Sequence, residues 1–180
     1  MRVDTERLVL RPLTQADLPD LHEYHGNPDS VRYIPWPVRT PEDISTWFER
    51  AENYTSIRNE DGHLLLGIES LEVGRVIGQV NASLLSDGNN TASLGYIISP
   101  NAEGKGFASE AVAALVDHLF TQESIHRIVL DIDVRNTPSI KLANRLGFRL
   151  EGTHLENDFL KGEWCSMHVF ALLSREWQSN

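Results

Sequence analysis

The fold of this chain is limited above all by the stretch from Ser99 to Ser124, where a glycine-containing loop leads directly into a long amphipathic helix. A β-rich run, residues 92–98, precedes the loop, which contains Gly104 and Gly106. Glycine adopts positive φ without strain and lets a ligand approach the backbone closely. The first turn of a helix carries unpaired N–H groups and the positive end of the helix dipole. The stretch therefore predicts an anion site, suited to a phosphate-bearing cofactor, at the amides of residues 105–109.

Two known phosphate-loop patterns fit this loop incompletely. The Walker pattern fails because Lys105 lies between the two glycines and no Ser or Thr follows it. The dinucleotide pattern G-x-G-x-x-G has Ser109 in the third glycine position, and Asp131 and Asp133 lie slightly beyond the spacing expected for a ribose-binding acid. A nicotinamide-dependent oxidoreductase and a strand–helix turn without any ligand therefore both remain open at this point.

Hydrophobic spacing and turn residues predict the element order β-α-α-β-β-β-α-β-α-β-β. The predicted strands are 8–13, 63–71, 76–85, 91–98, 126–134, 148–155 and 164–173, and the predicted helices are 14–24, 41–51, 108–119 and 137–146. Two strand–helix–strand units in the second half imply parallel pairing, whereas the hairpins of the first half imply antiparallel pairing. The chain is predicted to be of the α+β class, with a mixed sheet and helices packed on it.

The bulk properties of the sequence favour one globular domain spanning residues 1–180. The chain has no internal repeat or linker, and its length is sufficient for one sizeable core. Cys165 is the sole cysteine, so no internal disulfide is possible and a reducing compartment is expected. The start resembles no signal peptide and no stretch is apolar enough to span a membrane, so we expect a cytoplasmic protein without a membrane partner. No metal ion is expected.

The net charge of −10 constrains the partners of this protein. Nucleic-acid-binding proteins carry a basic surface, so we expect no nucleic-acid partner. A negative field attracts a cationic substrate such as an amine. The simpler explanation of the charge is solubility.

The element order and four motifs resemble the GNAT superfamily of acetyl-CoA-dependent N-acetyltransferases. Residues 103–108, E-G-K-G-F-A, resemble motif A of that family, [Q/R]-x-x-G-x-[G/A], and residues 136–148, N-x-x-S…L-G-F, resemble its motif B. The opening T-x-R-L-x-L-R-P-L (5–13) and the closing G-E-W…L-L-x-x-E-W (162–177) resemble the ribosomal-protein branch, the RimJ/RimL-like group. The resemblance covers essentially the whole chain. It implies a mostly antiparallel central sheet with parallel fourth and fifth strands and helices on both faces.

The resemblance also implies a cofactor site. The ligand would be acetyl-CoA, with its pyrophosphate bound by Gly104, Lys105, Gly106, Phe107, Ala108 and Ser109. The backbones of Ile97 and Ile98, in the fourth strand, would bind the pantetheine arm, and Gly95 would mark a bulge that re-aims this strand. Glu103 departs from the family, which has Gln or Arg there. We expect Glu103 to face solvent or to pair with Lys105 or Arg135.

The same resemblance implies two residues near the reacting atoms. Asn136 would hydrogen-bond the pantetheine or its surroundings, and Ser139 would donate a proton to the leaving sulfur. From the residues alone, Asn136 is equally a helix N-cap and Ser139 a serine of the first helical turn.

The general base is the least determined part of the site. Many relatives carry Glu where this chain has Ser93, and serine is a poor base. The candidates to replace it are Glu69, Glu163, His25 and His168, or a water relay. Cys165 is expected to be a buried small hydrophobe rather than a nucleophile. Tyr33, Trp36 and Trp164 are candidates for lining the acceptor groove.

The sequence therefore predicts an N-acetyltransferase that moves the acetyl group of acetyl-CoA to a primary amine. The branch resemblance favours the N-terminal amine of a ribosomal or other protein as acceptor. A small amine, such as a polyamine, an aminoglycoside or an amino acid, is the alternative. A non-catalytic acyl-CoA-binding module is left open by Ser93, and a homodimer is a family-level expectation.

Overall fold

Nine strands and four α-helices make up the described part of the chain, residues 1–60 and 62–177 of a computed structural model. The strands are β1 (Val3–Asp4), β2 (Leu8–Arg11), β3 (Thr55–Ser56), β4 (His63–Ser70), β5 (Arg75–Ser86), β6 (Thr91–Ile98), β7 (Arg127–Asp133), β8 (Arg149–Leu160) and β9 (Glu163–Leu173). The helices are α1 (Leu18–His25), α2 (Pro41–Ala51), α3 (Phe107–Thr121) and α4 (Thr137–Arg145). Short 3-10 turns lie at Gln15–Asp17, Pro100–Ala102 and Ser174–Glu176.

The strands form one sheet in the order β1-β2-β4-β5-β6-β7-β9-β8, and β3 pairs with β4 beside this path. The pairing of β6 with β7 is parallel and the other described pairings are antiparallel. With the two-residue strands β1 and β3 set aside, β6 and β7 are the fourth and fifth strands of the chain. The predicted parallel pair in a mostly antiparallel sheet is confirmed.

Each face of the sheet is covered by a pair of helices. Successive residues of a strand point to opposite faces, so Leu66 packs with α3 and α4 while its neighbour Leu65 packs with α1 and α2. The first core includes Val112, Leu115 and Leu119 of α3, as its predicted helical spacing requires. Helices therefore lie on both faces, as expected for the predicted fold class.

The helix starts follow the local sequence. Thr40 Oγ1 accepts a hydrogen bond from the Asp43 N–H (3.2 Å), and the Asp43 carboxylate accepts one from the Thr40 N–H (2.9 Å). This capping box, with Pro41 in the first turn, explains the start of α2. The start of α4 at Thr137 follows in the same way from Asn136, whose side chain caps it.

Two predicted elements differ most from the structure, and the two-residue strands β1 and β3 were not predicted. The strand predicted to end at residue 155 continues to Leu160 as β8. This strand lies at the sheet edge, pairs with β9 and is exposed along nearly all its length, so no apolar alternation marks its extent. The first predicted helix divides into the 3-10 turn at Gln15–Asp17 and α1.

Candidate active site

A cleft opens where β6 and β7 separate. Their parallel pairing covers three residue pairs, from Thr91–Arg127 to Ser93–Val129. Beyond them β6 continues to Ile98 and β7 to Asp133, each still paired with the strand on its other side. The amides and carbonyls of β6 that face β7 after Ser93 therefore lie outside that ladder. Backbone groups in such a position can hydrogen-bond an extended ligand.

The glycine loop lies just beyond the end of β6, where the two strands have diverged. Gly104 and Gly106 have φ values of 73° and 83°, in the region that favours glycine. Gly106 is the N-cap of α3, and the first helical hydrogen bond runs from the Glu110 N–H to its carbonyl (3.1 Å). The N–H groups of Phe107, Ala108 and Ser109 are thus the unsatisfied donors of the first turn. A side chain built on Gly104 meets no atom within 4 Å, so the loop is open there.

A clamp from the N-terminal segment holds this loop. Thr5 Oγ1 donates to Glu110 Oε1 (2.6 Å), and Arg7 donates from its backbone N–H to the same oxygen (2.9 Å) and from Nε to Oε2 (2.7 Å). Arg7 Nη1 also donates to the Lys105 carbonyl (3.0 Å). Burial raises the pKa of the Glu110 carboxyl, but the hydrogen bonds from Thr5 and Arg7 outweigh it and hold the pKa below its usual value. The opening motif had marked Thr5 and Arg7 without indicating this contact.

The charged residues around the loop decide between the expected arrangements of Glu103. Lys105 Nζ donates to the Asn101 carbonyl (3.1 Å), and Arg135 pairs with Asp133 and Glu163 (both 2.7 Å). Glu103 is exposed, so of its expected arrangements the solvent-facing one is found.

Arg145 is a cation at the loop that the sequence reasoning missed. It lies at the end of α4, and its Nη1 donates to Ser109 Oγ (2.8 Å) in the first turn of α3. Its position inside the N-R-L-G-F segment of motif B was the available signal, but only the fold brings α4 against α3.

The β6 residues expected to bind pantetheine lie along the open cleft. The side chain of Ile97 packs in the core under α1 and α2, and that of Ile98 in the core under α3 and α4. Only backbone groups are therefore available to a ligand. The backbone of Ile97 faces β5, with its carbonyl against Gly78, so of the two residues only Ile98 presents its backbone to the cleft, and the expectation for Ile97 is wrong. The bulge predicted at Gly95 is wrong: β6 pairs with β5 without a register shift from Ala92 to Ile98, with Gly95 opposite Asn81. The cleft arises from loss of the β7 partner and not from an inserted residue.

Two hydroxyls meet at the start of α4. Asn136 is the N-cap of α4, and its Oδ1 accepts a hydrogen bond from the Ser139 N–H (3.2 Å). The Tyr96 hydroxyl, from β6, donates to Ser139 Oγ (2.9 Å). Burial raises the pKa of Tyr96, so its hydroxyl stays protonated at neutral pH. Ser139 Oγ accepts this bond, which leaves its own proton free to be donated elsewhere. Sequence reasoning missed Tyr96, because its partner lies 43 residues away along the chain.

Each candidate base is engaged with a partner. Glu69 pairs with Arg11, and Glu163 pairs with Arg135. His168 Nδ1 lies 2.8 Å from Thr153 Oγ1. His25 is fully buried, and burial lowers its pKa to about 4. The structure thus brings together the loop, the β6 backbone, Asn136 and Ser139, but it places none of these four bases as an unengaged carboxylate or imidazole.

A cavity of about 150 Å³ lies between the segment 36–54 and strands β4 and β5. We call it the aromatic cavity. Its lining residues are Trp36, Arg39, Trp47, Tyr54, His63, Leu64, Leu65, Gln79, Asn81, Ala82 and Ser83. Of the three aromatic residues expected at the acceptor groove, Trp36 lines this cavity. Trp164 is 61% exposed and contacts Phe159 instead. Tyr33 lies beneath the guanidinium groups of Arg32 and Arg135.

A hydrogen-bonded chain fixes the polar wall of the aromatic cavity. Arg39 Nη1 lies 3.2 Å from His25 Nδ1, and His25 Nε2 lies 3.0 Å from Gln79 Oε1. Arginine only donates, so His25 Nδ1 accepts and the imidazole proton resides on Nε2. The Gln79 carbonyl oxygen accepts this bond and one from the Tyr24 hydroxyl (3.3 Å). The amide nitrogen of Gln79 is therefore left as a donor.

Cys165 lies outside this assembly of residues. It is 2% exposed on β9, and Arg135 Nη2 donates to its sulfur (3.1 Å). Its burial matches the expected small hydrophobic residue.

Among the described residues, no helix is both long and apolar enough to cross a membrane.

Known proteins share this architecture over nearly the whole chain. A family model described as acetyltransferase (GNAT) domain matches residues 7–149. The uncharacterized N-acetyltransferase p20 of Bacillus licheniformis is 34% identical over 173 residues, which cover 96% of each chain. The crystal structure of a GNAT-family acetyltransferase from Bacillus anthracis superimposes with a TM-score of 0.87 at 26% identity, covering 98% of this chain and 100% of that one.

Two relatives with named substrates match at nearly equal identity. The [ribosomal protein uS5]-alanine N-acetyltransferase of Escherichia coli K12 is 28% identical over 182 residues, covering 98% of this chain and 93% of the relative. The spermidine N(1)-acetyltransferase of the same strain is 27% identical over 155 residues, covering 86% and 80%. These names do not separate a protein acceptor from a small amine. The family model and the p20 relative, together with the fold, establish that this chain belongs to the GNAT acetyltransferase family.

Proposed function

We propose that this protein transfers the acetyl group of acetyl-CoA directly to a primary amine, and that its acceptor is the N-terminal amine of a ribosomal or other protein. The observation that carries the proposal is the separation of β6 from β7 immediately before a loop with two left-handed glycines. The motifs at residues 5–13 and 162–177 support the RimJ/RimL-like branch. The uS5-alanine acetyltransferase among the relatives supports a protein acceptor.

The residues present fit acetyl-CoA. The amides of residues 104–109 and the positive end of α3 suit a pyrophosphate, and the cations of Lys105 and Arg145 lie beside them. The Ile98 backbone, on the cleft side of β6, offers hydrogen bonds to an amide-containing arm. The Asn136 Nδ2 group can donate to the same arm, because its Oδ1 is occupied by the helix cap.

Acetyl-CoA supplies the activated thioester carbonyl, and the chain's residues position it and move one proton. Amides of β6 on the cleft side stabilise negative charge on the carbonyl oxygen. The neutral amine forms a bond to the carbonyl carbon, the carbon–sulfur bond breaks, and the surplus amine proton passes to water. The CoA sulfur takes the Ser139 hydroxyl proton, and the Tyr96 hydroxyl, bonded to Ser139 Oγ, replaces it. Tyr96 recovers its proton from the water that accepted the amine proton, so the relay ends in its starting state.

A small-amine acetyltransferase is the second candidate. The spermidine acetyltransferase among the relatives and the net charge of −10 favour it. A non-catalytic acyl-CoA-binding module is the third, because Ser93 stands where many relatives carry the base.

Release of free thiol from acetyl-CoA by the purified protein tests the proposal. We expect release that depends on an added amine, with N-terminal peptides of ribosomal proteins as better acceptors than spermidine or aminoglycosides. A CoA-dependent rise in melting temperature without turnover on any acceptor would favour the binding module. Absence of any response to CoA would overturn the assignment of the cleft and loop.

The homodimer expected from the resemblance remains part of the proposal. Sedimentation equilibrium of the full chain measures its mass directly. A mass of about 20.3 kDa, that of one chain, would contradict the dimer.

A further inference from the structure

The aromatic cavity offers hydrogen-bond donors and no negative charge. Arg39, Gln79 and Trp36 line it, and the Trp36 indole N–H is buried without a hydrogen-bond partner among the described residues. Among the described residues that line it, none is a carboxylate. A buried N–H that lacks a partner costs free energy, so a ligand that accepts a hydrogen bond from Trp36 is favoured. Arg39 repels an ammonium group here, and it already lies over the rings of Trp36 and Trp47 that would otherwise attract one.

The aromatic cavity has the size and walls for one apolar side chain. Arg39 lies over the rings of Trp36 (5.1 Å) and Trp47 (4.9 Å), which holds these two walls apart. A volume of about 150 Å³ accommodates a group of roughly the size of benzene. A second, larger cavity of about 300 Å³ also presents cations, Arg32, Arg135 and Lys161, and its one lining carboxylate, Glu163, pairs with Arg135. Neither cavity is built for a polycation.

The aromatic cavity adjoins the cleft through β5. Gln79 and Asn81 line the cavity and pair across the sheet with Ile97 and Gly95 of β6. Neighbouring strands lie about 4.8 Å apart, so an amine held at this wall is one strand away from the β6 backbone. A side chain at Gly95 would meet the Asn81 amide at 3.0 Å, so glycine lets the Asn81 side chain lie close over the β6 backbone.

The engaged state of the candidate bases points to an amine that is already neutral. At pH 7.5 roughly one third of α-amines, but only about one in a thousand lysine-type amines, is unprotonated. An α-amine next to a carbonyl therefore depends less on a general base than a polyamine does.

From these observations we propose that the acceptor is an α-amine adjacent to a carbonyl, on a residue with an uncharged apolar side chain. The side chain occupies the aromatic cavity, and the carbonyl accepts hydrogen bonds from Trp36 Nε1 and Arg39. This inference rests on the proposed acetyltransfer and selects among its acceptors. This chemistry is found at peptide N-termini and in amino-acid amides, and free amino acids carry the same amine beside a carboxylate in place of the neutral carbonyl. The experiment separates these sources.

The experiment measures thiol release by the full chain with matched amines. The panel is L-phenylalanine amide, 2-phenylethylamine, glycinamide, free L-phenylalanine, a peptide beginning with phenylalanine, and spermidine, with rates expressed per neutral amine. We expect kcat/KM for phenylalanine amide to exceed that for 2-phenylethylamine and that for glycinamide by roughly tenfold or more. The reason is that 2-phenylethylamine lacks the carbonyl and glycinamide lacks the side chain. The acceptor with the highest kcat/KM among the amide, the free amino acid and the peptide identifies the source.

A ring-preserving substitution tests the indole donor. Trp36→Phe keeps the aromatic wall and removes the N–H, so it should raise the KM for phenylalanine amide about tenfold and leave the KM for acetyl-CoA unchanged. Trp164→Phe, at an exposed position, is the matched control and should change neither. The wild-type panel decides the question independently if the Trp36 variant folds poorly.

The outcomes separate the two proposals. Spermidine or 2-phenylethylamine as the best acceptor, or an unchanged KM in Trp36→Phe, would overturn the acceptor class while leaving the acetyltransfer intact. No thiol release with any amine would overturn the acetyltransfer itself, and the acceptor class with it.

Discussion

His25 makes the folding stability of the protein depend on pH. It is fully buried between Arg39 and Gln79, against Tyr24, Trp36 and Trp47, and burial lowers its pKa to about 4 from a usual 6.5. The unfolded chain therefore binds a proton at a higher pH than the folded one. Above pH 6.5 the imidazole is neutral in both states, and His25 does not reduce the stability. As the pH falls from 6.5 to about 4, protonation of His25 in the unfolded chain lowers the free energy of unfolding by about 3 kcal/mol.

Urea unfolding at a series of pH values measures this effect. The variant His25→Gln removes the titrating group, so its free energy of unfolding should fall by about 3 kcal/mol less than the wild type between pH 7 and pH 4. His154→Gln, at an exposed position, is the control. Equal pH slopes for the wild type and His25→Gln would show that the imidazole does not carry this linkage.

The Tyr96–Ser139 pair gives a second prediction for single residues. Ser139→Ala removes the hydroxyl proposed to protonate the leaving sulfur, so kcat should fall by roughly tenfold to a hundredfold with little change in the KM for acetyl-CoA. Tyr96→Phe removes the other hydroxyl and should have a smaller effect, because Ser139 still holds a proton to give. Single-turnover thiol release measures both, and an unchanged rate in Ser139→Ala would remove Ser139 from the reaction.

Some residues of the site could be predicted from the sequence and others could not. Gly104 and Gly106 were predictable because a backbone with positive φ favours glycine, so the residue type itself indicates the conformation. Tyr96 and Arg145 were not, because a tyrosine in a strand and an arginine at a helix end have many equivalent roles. Only their contacts with Ser139 and Ser109 distinguish them.

The loop and the start of α3 form one element whose shape depends on glycine. Alanine at Gly106 would have to adopt a φ near 83°, which costs roughly 1–2 kcal/mol, and any relaxation would displace the amides that follow. Gly106→Ala should therefore lose stability and also bind CoA several-fold more weakly. Gly74→Ala, in the hairpin turn between β4 and β5 with a φ of 64°, should lose similar stability and keep its CoA affinity. Calorimetric titration with CoA decides between the two variants.

The clamp on α3 gives a prediction about dynamics. In Glu110→Gln the charged hydrogen bonds from Arg7 are lost, so the Lys105 carbonyl loses its anchored partner and the amides of residues 104–108 should exchange hydrogen faster. The low pKa of Glu110 means that the clamp is complete above pH 4.5 and is lost as the pH falls through the lower folded value.

Amide exchange followed by mass spectrometry tests the clamp. Glu151→Gln, which removes a carboxylate paired with Arg127 and Arg149 on the other half of the sheet, is the matched control. Its effect should stay near β7 and β8. Equal exchange in the glycine loop of Glu110→Gln and the wild type would show that Arg7 does not hold the loop.

At the scale of the molecule, charge acts at two ranges. The net charge of −10 attracts a protonated amine from a distance, while the cations in the two cavities select what enters. Raising the salt concentration should therefore lower kcat/KM for a peptide acceptor with basic residues more than for phenylalanine amide. Initial rates at several ionic strengths measure this difference. Equal salt dependence for the two acceptors would assign the charge to solubility alone.

The order of the longer elements, the mixed sheet and the glycine loop were determined by the sequence alone, because they depend on local spacing, caps and turns that neighbouring residues specify. The motif resemblance was sufficient for the family. The tertiary structure alone decided that β6 loses its β7 partner at Ser93 without a bulge at Gly95, that Arg7 clamps Glu110, and that Trp36, Arg39 and Gln79 meet around one cavity. These contacts join segments far apart in the chain, so no local pattern encodes them. They exist only once burial of both faces of the sheet has fixed the register of every strand.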